Sequence, residues 1–206
     1  MIAIIKYKAG NTASVANALE RLEARYFFAE TPEELESARA VIFPGVGHAA
    51  AAMESLKENG VDEWLKQTKK PVMGICVGMQ LLFETSSEGD TAGLGIIPGA
   101  LKKFDDTKAK VPHMGWNKLK TTENHPILKN LIEKNYLYFV HSYYAPVGEH
   151  TLATCNYIND FSAIIAKDNF IGVQFHPEKS GSVGSMILQN FLDLVYSPDK
   201  AKAVQK

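Results

Sequence analysis

The chain has 206 residues and a formal net charge of −1, and 46% of its residues are hydrophobic and 22% are charged. A chain of this size is expected to bury roughly 70% of the surface that its unfolded form exposes, so it needs neither disulfides nor a structural metal to fold. The near-zero charge argues against a nucleic-acid partner, because proteins that bind phosphate backbones usually carry a basic surplus or stripe.

The N-terminal stretch and the cysteine usage indicate a cytoplasmic protein. Residues 1–5 are apolar but lack the basic region and the small-residue cleavage site of a secretory leader, so we expect a first buried strand there. No apolar stretch approaches the roughly 20 residues needed to span a bilayer, so no membrane association is expected. Two cysteines, Cys76 and Cys155, are typical of a protein in the reducing cytoplasm.

The first part of the chain alternates short β-branched runs with amphipathic stretches, which is the pattern of βαβ units and a mainly parallel sheet. The run 40–43 lacks alternation, which suits a strand that is covered on both faces. Strands are predicted at residues 2–5, 40–43 and 71–75, and helices at 13–22, 32–38, 53–66 and from 79 to 84.

Beyond about residue 85 the sequence changes to turns and short alternating runs at 136–140, 162–166 and 171–175, which predict antiparallel or mixed strands. A last helix is predicted over 184–195, and the polar tail 197–206 is expected to fray. The predicted fold is therefore α/β, with a mixed, mainly parallel sheet flanked by helices and a smaller antiparallel portion in the second half. Residues 1–196 are expected to form one domain.

A candidate nucleophile lies in the segment 74–78, Gly-Ile-Cys-Val-Gly. Two glycines flank Cys76 where a buried strand meets a helix, which is the pattern of a nucleophile elbow with cysteine in place of serine. Such a turn imposes strained backbone angles and leaves no room for neighbouring side chains. The following helix favours the thiolate, and the N–H of Val77 is expected to face a developing oxyanion. The alternative, a small buried hydrophobe, is the interpretation that we keep for Cys155.

The segment His176-Pro177-Glu178 supplies a candidate base and its orienting partner. A cysteine nucleophile needs a base to take its proton, and that base needs a third group to fix its tautomer. His176 follows the strand-like run 171–175, and Glu178 is close enough to fold back onto the ring. The alternatives are a satisfied surface histidine or a zinc site. Zinc is disfavoured because no C-x-x-C or H-x-x-x-H spacing is present, so neither a metal nor a cofactor is predicted.

The loop 44–47, Pro-Gly-Val-Gly, has two interpretations. A G-x-G-x-x-A pattern that begins at Gly45 fits the dinucleotide-binding fingerprint after a strand. The pattern is not on the first βα turn, however, and the acidic residues Asp62 and Glu63 fall in a helix-like stretch rather than at the end of a strand. We therefore expect these glycines to let backbone N–H groups approach a ligand oxygen, as the second half of an oxyanion hole opposite Val77.

These motifs resemble the class I, or triad, glutamine amidotransferases, which have the same cysteine elbow and the same Gly-Val-Gln-Phe-His-Pro-Glu run. Within that family, further blocks are similar to the glutaminase subunits of imidazole glycerol phosphate synthase. These blocks lie at 44–48, 78–82, 112–117, 138–143 and 176–180. The most discriminating is 112–117, Pro-His-Met-Gly-Trp-Asn.

The resemblance implies a flavodoxin-like α/β fold and a glutaminase that hydrolyses L-glutamine to glutamate and ammonia through a thioester on Cys76. The implied partner is a (β/α)₈ cyclase subunit, with which the chain would form a heterodimer. In that subunit the channelled ammonia would convert a ribulosyl-formimino carboxamide nucleotide into imidazole glycerol phosphate and an aminoimidazole carboxamide ribotide. These products serve histidine and purine synthesis.

The functional residues of the family carry over to the matching positions of this chain. Cys76 would be the nucleophile, His176 the general base and acid, and Glu178 the orienting group. The oxyanion N–H groups would come from Val46, Gly47 and Val77. The α-carboxylate and α-ammonium groups of glutamine would be held by Gln80 and Glu84, helped by the backbone of His141, Ser142 and Tyr143. The subunit interface and ammonia gate would include Asn11, His113, Met114, Trp116, Tyr138 and Lys179.

One departure from the family pattern lies near the N-terminus. Residues 6–9 are Lys-Tyr-Lys-Ala, where many relatives have an acidic residue and a glycine. Because this stretch leads into the expected interface loop at residues 10–11, it leaves the partner contacts there open without affecting the triad. Trp116 and Tyr138 also have an alternative interpretation, as ordinary core aromatics.

Three functions are compared: an ammonia-delivering glutaminase, a stand-alone thiol hydrolase or peptidase, and a catalytically silent binding subunit. The intact set of Cys76, His176 and Glu178 counts against the silent subunit. A stand-alone hydrolase has no evident use for Gln80 or for the block 112–117, so the first function is favoured. Glutaminase activity should then be low for the isolated chain and rise with the cyclase and its nucleotide ligand. The synthase itself stays open, because close paralogues serve other synthases, for example in amidinating surface sugars.

Overall fold

The computed structural model of the protein describes residues 1–7 and 12–197. The helices in these residues are α1 Thr12–Arg21, α2 Pro32–Glu36, α3 Ala49–Glu58, α4 Val61–Gln67, α5 Val77–Gln80 and α6 Gly181–Tyr196, with short 3₁₀ helices at Pro126–Leu128 and Pro177–Lys179. The strands are β1 Ile2–Ile5, β2 Tyr26–Ala29, β3 Ala40–Gly45, β4 Val72–Cys76, β5 Phe83–Ser86, β6 Thr91–Ala92, β7 Ile97–Lys103, β8 His113–Lys118, β9 Lys120–Thr121, β10 Tyr136–His141, β11 Tyr143–Tyr144, β12 Thr151–Asn156, β13 Asp160–Lys167 and β14 Phe170–Val173.

The main sheet has the strand order β2-β1-β3-β4-β14-β13-β12-β9. The first five of these strands run parallel, while β13, β12 and β9 pair antiparallel. Every residue of β1, β3, β4 and β14 is buried, as expected for parallel strands that are covered on both faces. The predicted α/β architecture, with a mainly parallel sheet and a smaller antiparallel portion, is confirmed.

The second half of the chain adds two smaller sheets. One is the antiparallel pair β8–β10, and the other has the strand order β11-β7-β5-β6. Less exposed and more exposed residues alternate along β8 and β10, so this pair has one inner face and one outer face. The prediction of short alternating strands in this part of the chain is confirmed.

Two of the predicted helices differ from those in the structure. The helix predicted over 53–66 is divided into α3 and α4, because Asn59 ends α3 and Gly60 has a left-handed φ of 69°. The helix predicted from 79 to 84 was wrong: α5 ends at Gln80, and residues 83–86 instead form β5, which pairs with β7. Strand β2 was not predicted, and it pairs in parallel with β1.

The turn between β4 and α5 packs in direct backbone contact with β3. A Cβ atom added to Gly78 would lie 1.9 Å from the carbonyl oxygen of Phe43, and one added to Gly45 would lie 2.5 Å from the Gly78 nitrogen. A Cβ atom on Gly74 would lie 2.7 Å from the Gly78 oxygen. Both glycines that flank Cys76 are therefore required by close approach of the chain.

The C-terminal helix α6 is held to the rest of the fold in a similar way. A Cβ atom on Gly184 would lie 1.9 Å from the carbonyl oxygen of Pro177, so the first turn of α6 sits directly against the 3₁₀ helix 177–179. No helix in the described part of the chain is both long enough and apolar enough to cross a membrane. Of the predicted tail 197–206, all but Ser197 lies outside the described residues.

The close approach at Gly78 predicts a large effect of a small substitution. Gly78→Ala should lower the free energy of unfolding by about 3 kcal/mol, because the new methyl group forces β3 and α5 apart. Urea denaturation measures this change. Gly148→Ala is the matched control: its Cβ atom would meet nothing within 4 Å. Equal stability of the Gly78→Ala and Gly148→Ala variants would contradict the packing described here.

Candidate active site

Cys76 ends β4 and immediately precedes α5, in a strained backbone conformation. Its φ and ψ are 52° and −108°, outside the regions that a non-glycine residue usually adopts. Such a conformation costs about 1–3 kcal/mol and persists only where the surrounding structure imposes it. The contacts of Gly45, Gly74 and Gly78 impose it here. The expected elbow is present, and its helix α5 has only four residues, so an extended helix dipole at the sulfur is absent.

His176 and Glu178 form a buried pair beside Cys76. His176 Nδ1 lies 2.8 Å from Glu178 Oε1, and the two side chains are 1% and 2% exposed. Because the carboxylate accepts a hydrogen bond from Nδ1–H, Nε2 is the ring nitrogen left for another partner. Nε2 is buried and makes no hydrogen bond in the structure. Burial lowers the pKa of His176, but the interactions with Cys76 and Glu178 outweigh it and raise the pKa well above the ordinary histidine value.

The backbone around His176 is tied to β10 by three hydrogen bonds. His176 N donates to the carbonyl oxygen of Tyr138 at 2.9 Å. The hydroxyl of Ser180 donates to the His176 carbonyl at 2.6 Å and accepts from the Tyr138 N–H at 2.9 Å. Ser180 is 2% exposed, so water does not compete for these bonds. The position of His176 therefore depends directly on the main chain of Tyr138.

Cys76 and His176 line the same pocket, which has a volume of about 310 Å³. This is the size of a small-molecule site. The lining residues are Val46, Gly47, Cys76, Val77, Gln80, Glu88, Pro112, Val140, His141, Ser142, Tyr143 and His176. The structure thus brings together, from distant parts of the chain, the predicted nucleophile, base, oxyanion residues and most of the predicted substrate residues.

The glycine loop 44–47 forms part of the wall of this pocket. Val46 and Gly47 line it, and Gly47 has a left-handed φ of 88°, which favours glycine at this position. The hydroxyl of Tyr7 donates to the carbonyl oxygen of Pro44 at 2.8 Å and anchors the start of the loop. Tyr7 belongs to the stretch 6–9 that departs from the family pattern, and it supports the glycine loop. Residues 8 and 9 of this stretch lie outside the described residues.

Two buried glutamine side chains connect the pocket wall to Cys76. Gln80 Nε2 donates to the carbonyl oxygen of Tyr143 and to Gln174 Oε1, each at 3.0 Å. Gln174 Nε2 lies 3.6 Å from Cys76 Sγ. Gln174 was not among the predicted site residues, although it is part of the Gly-Val-Gln-Phe-His-Pro-Glu run. Its register could have indicated it, because β14 runs parallel to β4 with Val173 opposite Ile75.

Glu84, which was predicted to hold the substrate, does not line this pocket, and Glu88 lines it instead. Glu84 is exposed on β5, and its Oε2 accepts from the backbone N–H of Gly99 at 2.9 Å. Glu88 lines the pocket, and its Oε2 accepts from the N–H of Ala49 at 2.8 Å. The physical reason for this correction is the early end of α5, since a strand at 83–86 carries Glu84 away from Cys76.

Most of the predicted interface residues lie on or beside the β8–β10 pair. Met114 and Trp116 are 63% and 55% exposed on its outer face, and Tyr138, half-buried, stands opposite Trp116. Lys179 is exposed next to the pair of His176 and Glu178. These positions exclude core packing for Trp116. His113 is different: it is buried on the inner face, and Asn11 lies outside the described residues.

His113 and His141 form a hydrogen-bonded chain that starts at the wall of the pocket, where His141 is a lining residue. His141 Nδ1 donates to the Tyr143 carbonyl at 2.8 Å, because that oxygen can only accept. His141 Nε2 then accepts from His113 Nδ1 at 3.0 Å, and His113 Nε2 accepts from Asn117 Nδ2 at 3.3 Å. Burial lowers the pKa of His113 to about 4 and that of His141 to about 3. Both rings are therefore neutral, each in one tautomer, at physiological pH.

The comparisons with known proteins agree with this geometry. A family model described as glutamine amidotransferase class-I matches residues 3–195. The imidazole glycerol phosphate synthase subunit HisH of Bacteroides fragilis (strain YCH46) is 48% identical over 195 residues, covering 94% of this chain and 99% of the relative. The HisH subunit of Colwellia psychrerythraea (strain 34H) is 43% identical over 206 residues, covering 93% of this chain and 92% of the relative.

Solved structures share the fold at low sequence identity. A crystal structure described as a glutamine amidotransferase has a TM-score of 0.74 at 17% identity, covering 95% of this chain and 98% of the other. The structure of PurLQS from Thermotoga maritima has a TM-score of 0.71 at 20% identity, covering 94% and 98%. The chain belongs to the class-I glutamine amidotransferases and, within them, to the group of imidazole glycerol phosphate synthase HisH subunits.

The buried neutral histidines predict acid sensitivity of the fold. Below about pH 6.5 the unfolded chain binds protons on His113 and His141, whereas the folded chain keeps both rings neutral. The free energy of unfolding therefore decreases as the pH is lowered. The free energy of unfolding should drop by about 1–3 kcal/mol between pH 7 and pH 5, measured by urea denaturation. His113→Gln keeps a polar side chain that does not titrate, and it should lessen this drop. An unfolding free energy that is constant over this range would contradict the lowered pKa values.

Proposed function

We propose that this protein is the glutaminase subunit of an imidazole glycerol phosphate synthase, which hydrolyses L-glutamine at Cys76 and delivers ammonia to a (β/α)₈ cyclase subunit. The observation that carries the proposal is that the strained Cys76 shares one pocket with His176, whose Nδ1 is hydrogen-bonded to the buried carboxylate of Glu178. Membership of the HisH group supports the choice of synthase.

The first half of the reaction forms a thioester. His176 Nε2 takes the proton of the Cys76 thiol, and the sulfur attacks the side-chain carbonyl carbon of glutamine. The π electrons of the C=O bond move to the oxygen. When the tetrahedral intermediate collapses, the C–N bond breaks, and His176 returns the proton to the nitrogen, which leaves as ammonia. Glu178 holds the imidazole in the required tautomer and stabilises its protonated form.

The second half of the reaction consumes water. His176 takes a proton from a water molecule, whose oxygen attacks the thioester carbon, and the C–S bond breaks to release glutamate. The proton held by His176 then restores the starting pair. In both halves negative charge develops on the substrate oxygen, for which the N–H groups of Val77, Val46 and Gly47 are the donors.

Substrate recognition rests on one carboxylate and several polar groups that line the pocket. Gln80 directs both N–H groups at protein acceptors, so its oxygen is the atom that it offers to a ligand. Together with the carboxylate of Glu88, this oxygen suits the α-ammonium group of glutamine. The backbone of His141, Ser142 and Tyr143 borders the same pocket and serves the α-carboxylate. Glu84 has no role in this assignment.

The outer face of the β8–β10 pair is the proposed docking surface for the cyclase. Met114, Trp116 and Tyr136 are exposed there, with exposed fractions of 63%, 55% and 48%. Exposed aromatic and methionine side chains that share one face are typical of the centre of a protein–protein interface. Tyr138, on the same face, carries the main-chain groups that hold His176 and Ser180.

The hydrogen bonds between the Tyr138 main chain and the segment of His176 explain how a docked partner can affect catalysis. A shift of β10 on docking moves the Tyr138 carbonyl and N–H, and with them His176, relative to Cys76. The ammonia gate is assigned to the same region, with Tyr138 and Lys179 at its rim.

The reaction requires Cys76 in its reduced form, and neither cysteine is in a disulfide, which supports a reducing compartment such as the cytoplasm.

The proposed chemistry predicts a separation of two activities. Cys76→Ala should abolish glutamine-dependent turnover by the complex with the cyclase and leave ammonia-dependent turnover largely intact, because ammonia enters the cyclase reaction directly. Both rates are measured by steady-state kinetics on the same complex. Cys155→Ala is the control and should retain both activities, since Cys155 is buried on β12. Equal loss of both activities in Cys76→Ala would contradict the separation.

The proposed docking surface predicts a loss of affinity on truncation of its central aromatic residue. Trp116→Ala should weaken binding to the cyclase subunit of the same genome by about 30-fold, as expected for an interface hot spot. Isothermal titration calorimetry measures the dissociation constant. Phe28→Ala removes an exposed aromatic residue from the edge strand β2 and is the matched control. Unchanged affinity of the Trp116→Ala variant would place the interface elsewhere.

A further inference from the structure

Gln174 is a fully buried amide in contact with the reactive sulfur. It follows β14 directly and is 0% exposed. The parallel pairing of β14 with β4, in which Val173 lies opposite Ile75, places Gln174 beside Cys76. Its Nε2 lies 3.6 Å from Cys76 Sγ, a hydrogen-bond distance for a sulfur acceptor.

The direction of the Gln174 amide is determined by its neighbours. The Tyr143 carbonyl can only accept a hydrogen bond, so the Gln80 group that lies 3.0 Å from it is the NH₂. The same NH₂ donates its second proton to Gln174, which therefore presents its oxygen to Gln80. The NH₂ of Gln174 is left to face Cys76. Its role as a donor to the sulfur thus follows from a chain of contacts that begins at a main-chain carbonyl.

Packing alone does not account for an amide at this position. Burying an amide without hydrogen bonds costs free energy, and an apolar side chain of similar size would fill the same space without that cost. Both polar atoms of Gln174 are hydrogen-bonded, one of them to the atom that carries out the reaction. A donor to sulfur stabilises the thiolate more than the thiol, because hydrogen bonds to a charged acceptor are stronger.

We propose that Gln174 is a positioning residue for the nucleophile, whose amide N–H holds Cys76 Sγ in the pocket and stabilises its thiolate form. The proposal rests on the proposed function, in which Cys76 attacks glutamine. Since α5 has only four residues, a donor at the end of the neighbouring strand supplies the stabilisation that a long helix would otherwise provide. Because Gln174 is completely buried, it acts through Cys76 and not by contact with glutamine.

Apart from the carboxylate that a Gln174→Glu substitution introduces, the titratable groups around Cys76 are the same in wild type and variants. In the described part of the chain, Glu88, His141 and His176 line the pocket with it, Glu178 lies behind His176, and Tyr7 interacts with the sulfur electrostatically. An uncharged replacement of Gln174 that leaves these residues in place therefore reports on the contact with the sulfur.

The test compares Gln174→Glu with wild type, both in a Cys155→Ala background so that Cys76 is the only cysteine. A glutamate keeps the shape and the oxygen that accepts from Gln80 but has no N–H for the sulfur. In the complex with the cyclase, kcat for glutamine hydrolysis should fall about 10- to 100-fold, with little change in KM. The pH at which iodoacetamide alkylates Cys76 at half its maximal rate should rise by about one unit. Gln67→Glu, exposed at the end of α4, is the matched control and should change neither quantity.

Other results for the Gln174 variants would contradict specific parts of the proposal. A wild-type alkylation profile and kcat in Gln174→Glu would refute the proposal, and a rise confined to KM would show that Gln174 acts only through Gln80. Gln174→Met lacks both the N–H and the new carboxylate, and it replaces Gln174→Glu if that variant does not fold. The rise in the alkylation pH must also appear in Gln174→Met, because a rise confined to Gln174→Glu would come from the added charge and would refute the proposal. Loss of glutaminase activity on Cys76→Ala, tested in parallel, shows that the proposed function holds independently of the result at Gln174.

Discussion

The site depends on one steric constraint, the contact of the β4–α5 turn with the backbone of β3. The Gly78 Cα lies so close to the Phe43 carbonyl that no side chain fits between them. This contact holds Cys76 at a φ of 52° and raises its sulfur into the pocket. A flexible turn would relax to ordinary backbone angles and point the sulfur elsewhere, so the buried glycines maintain the geometry that the chemistry needs.

Much of the fold and of the site could be predicted from the sequence, because the decisive signals are local. Continuous apolar runs indicated the parallel core, and the glycines around Cys76 indicated the elbow. The end of α5 could not be predicted, because residues 83–86 become a strand only by pairing with β7, which is a long-range interaction. Glu84 had been carried over from the family resemblance, and the strand at 83–86 places it away from the pocket that Glu88 lines.

Gln174 was missed for a different reason. A glutamine in an apolar strand gives no indication of where its amide is directed until the neighbouring strand is known. Its significance comes from the parallel register of β14 with β4 and from the orientation imposed by Gln80. His113 was assigned with the residues of the subunit interface and ammonia gate, and the alternation of β8 turns it inward to His141. Side-chain direction, more than element type, therefore limits the prediction of a site from sequence.

The attachment of His176 to β10 has an evolutionary consequence. Tyr138 contributes only its N–H and carbonyl to this attachment, and these atoms are common to nearly every amino acid. The side chains on the outer face of the β8–β10 pair are therefore free to diverge without disturbing the alignment of the imidazole. A duplicated copy of such a chain could adapt to another ammonia-consuming enzyme by exchanging these surface residues, while the same nucleophile and base continue to cleave glutamine.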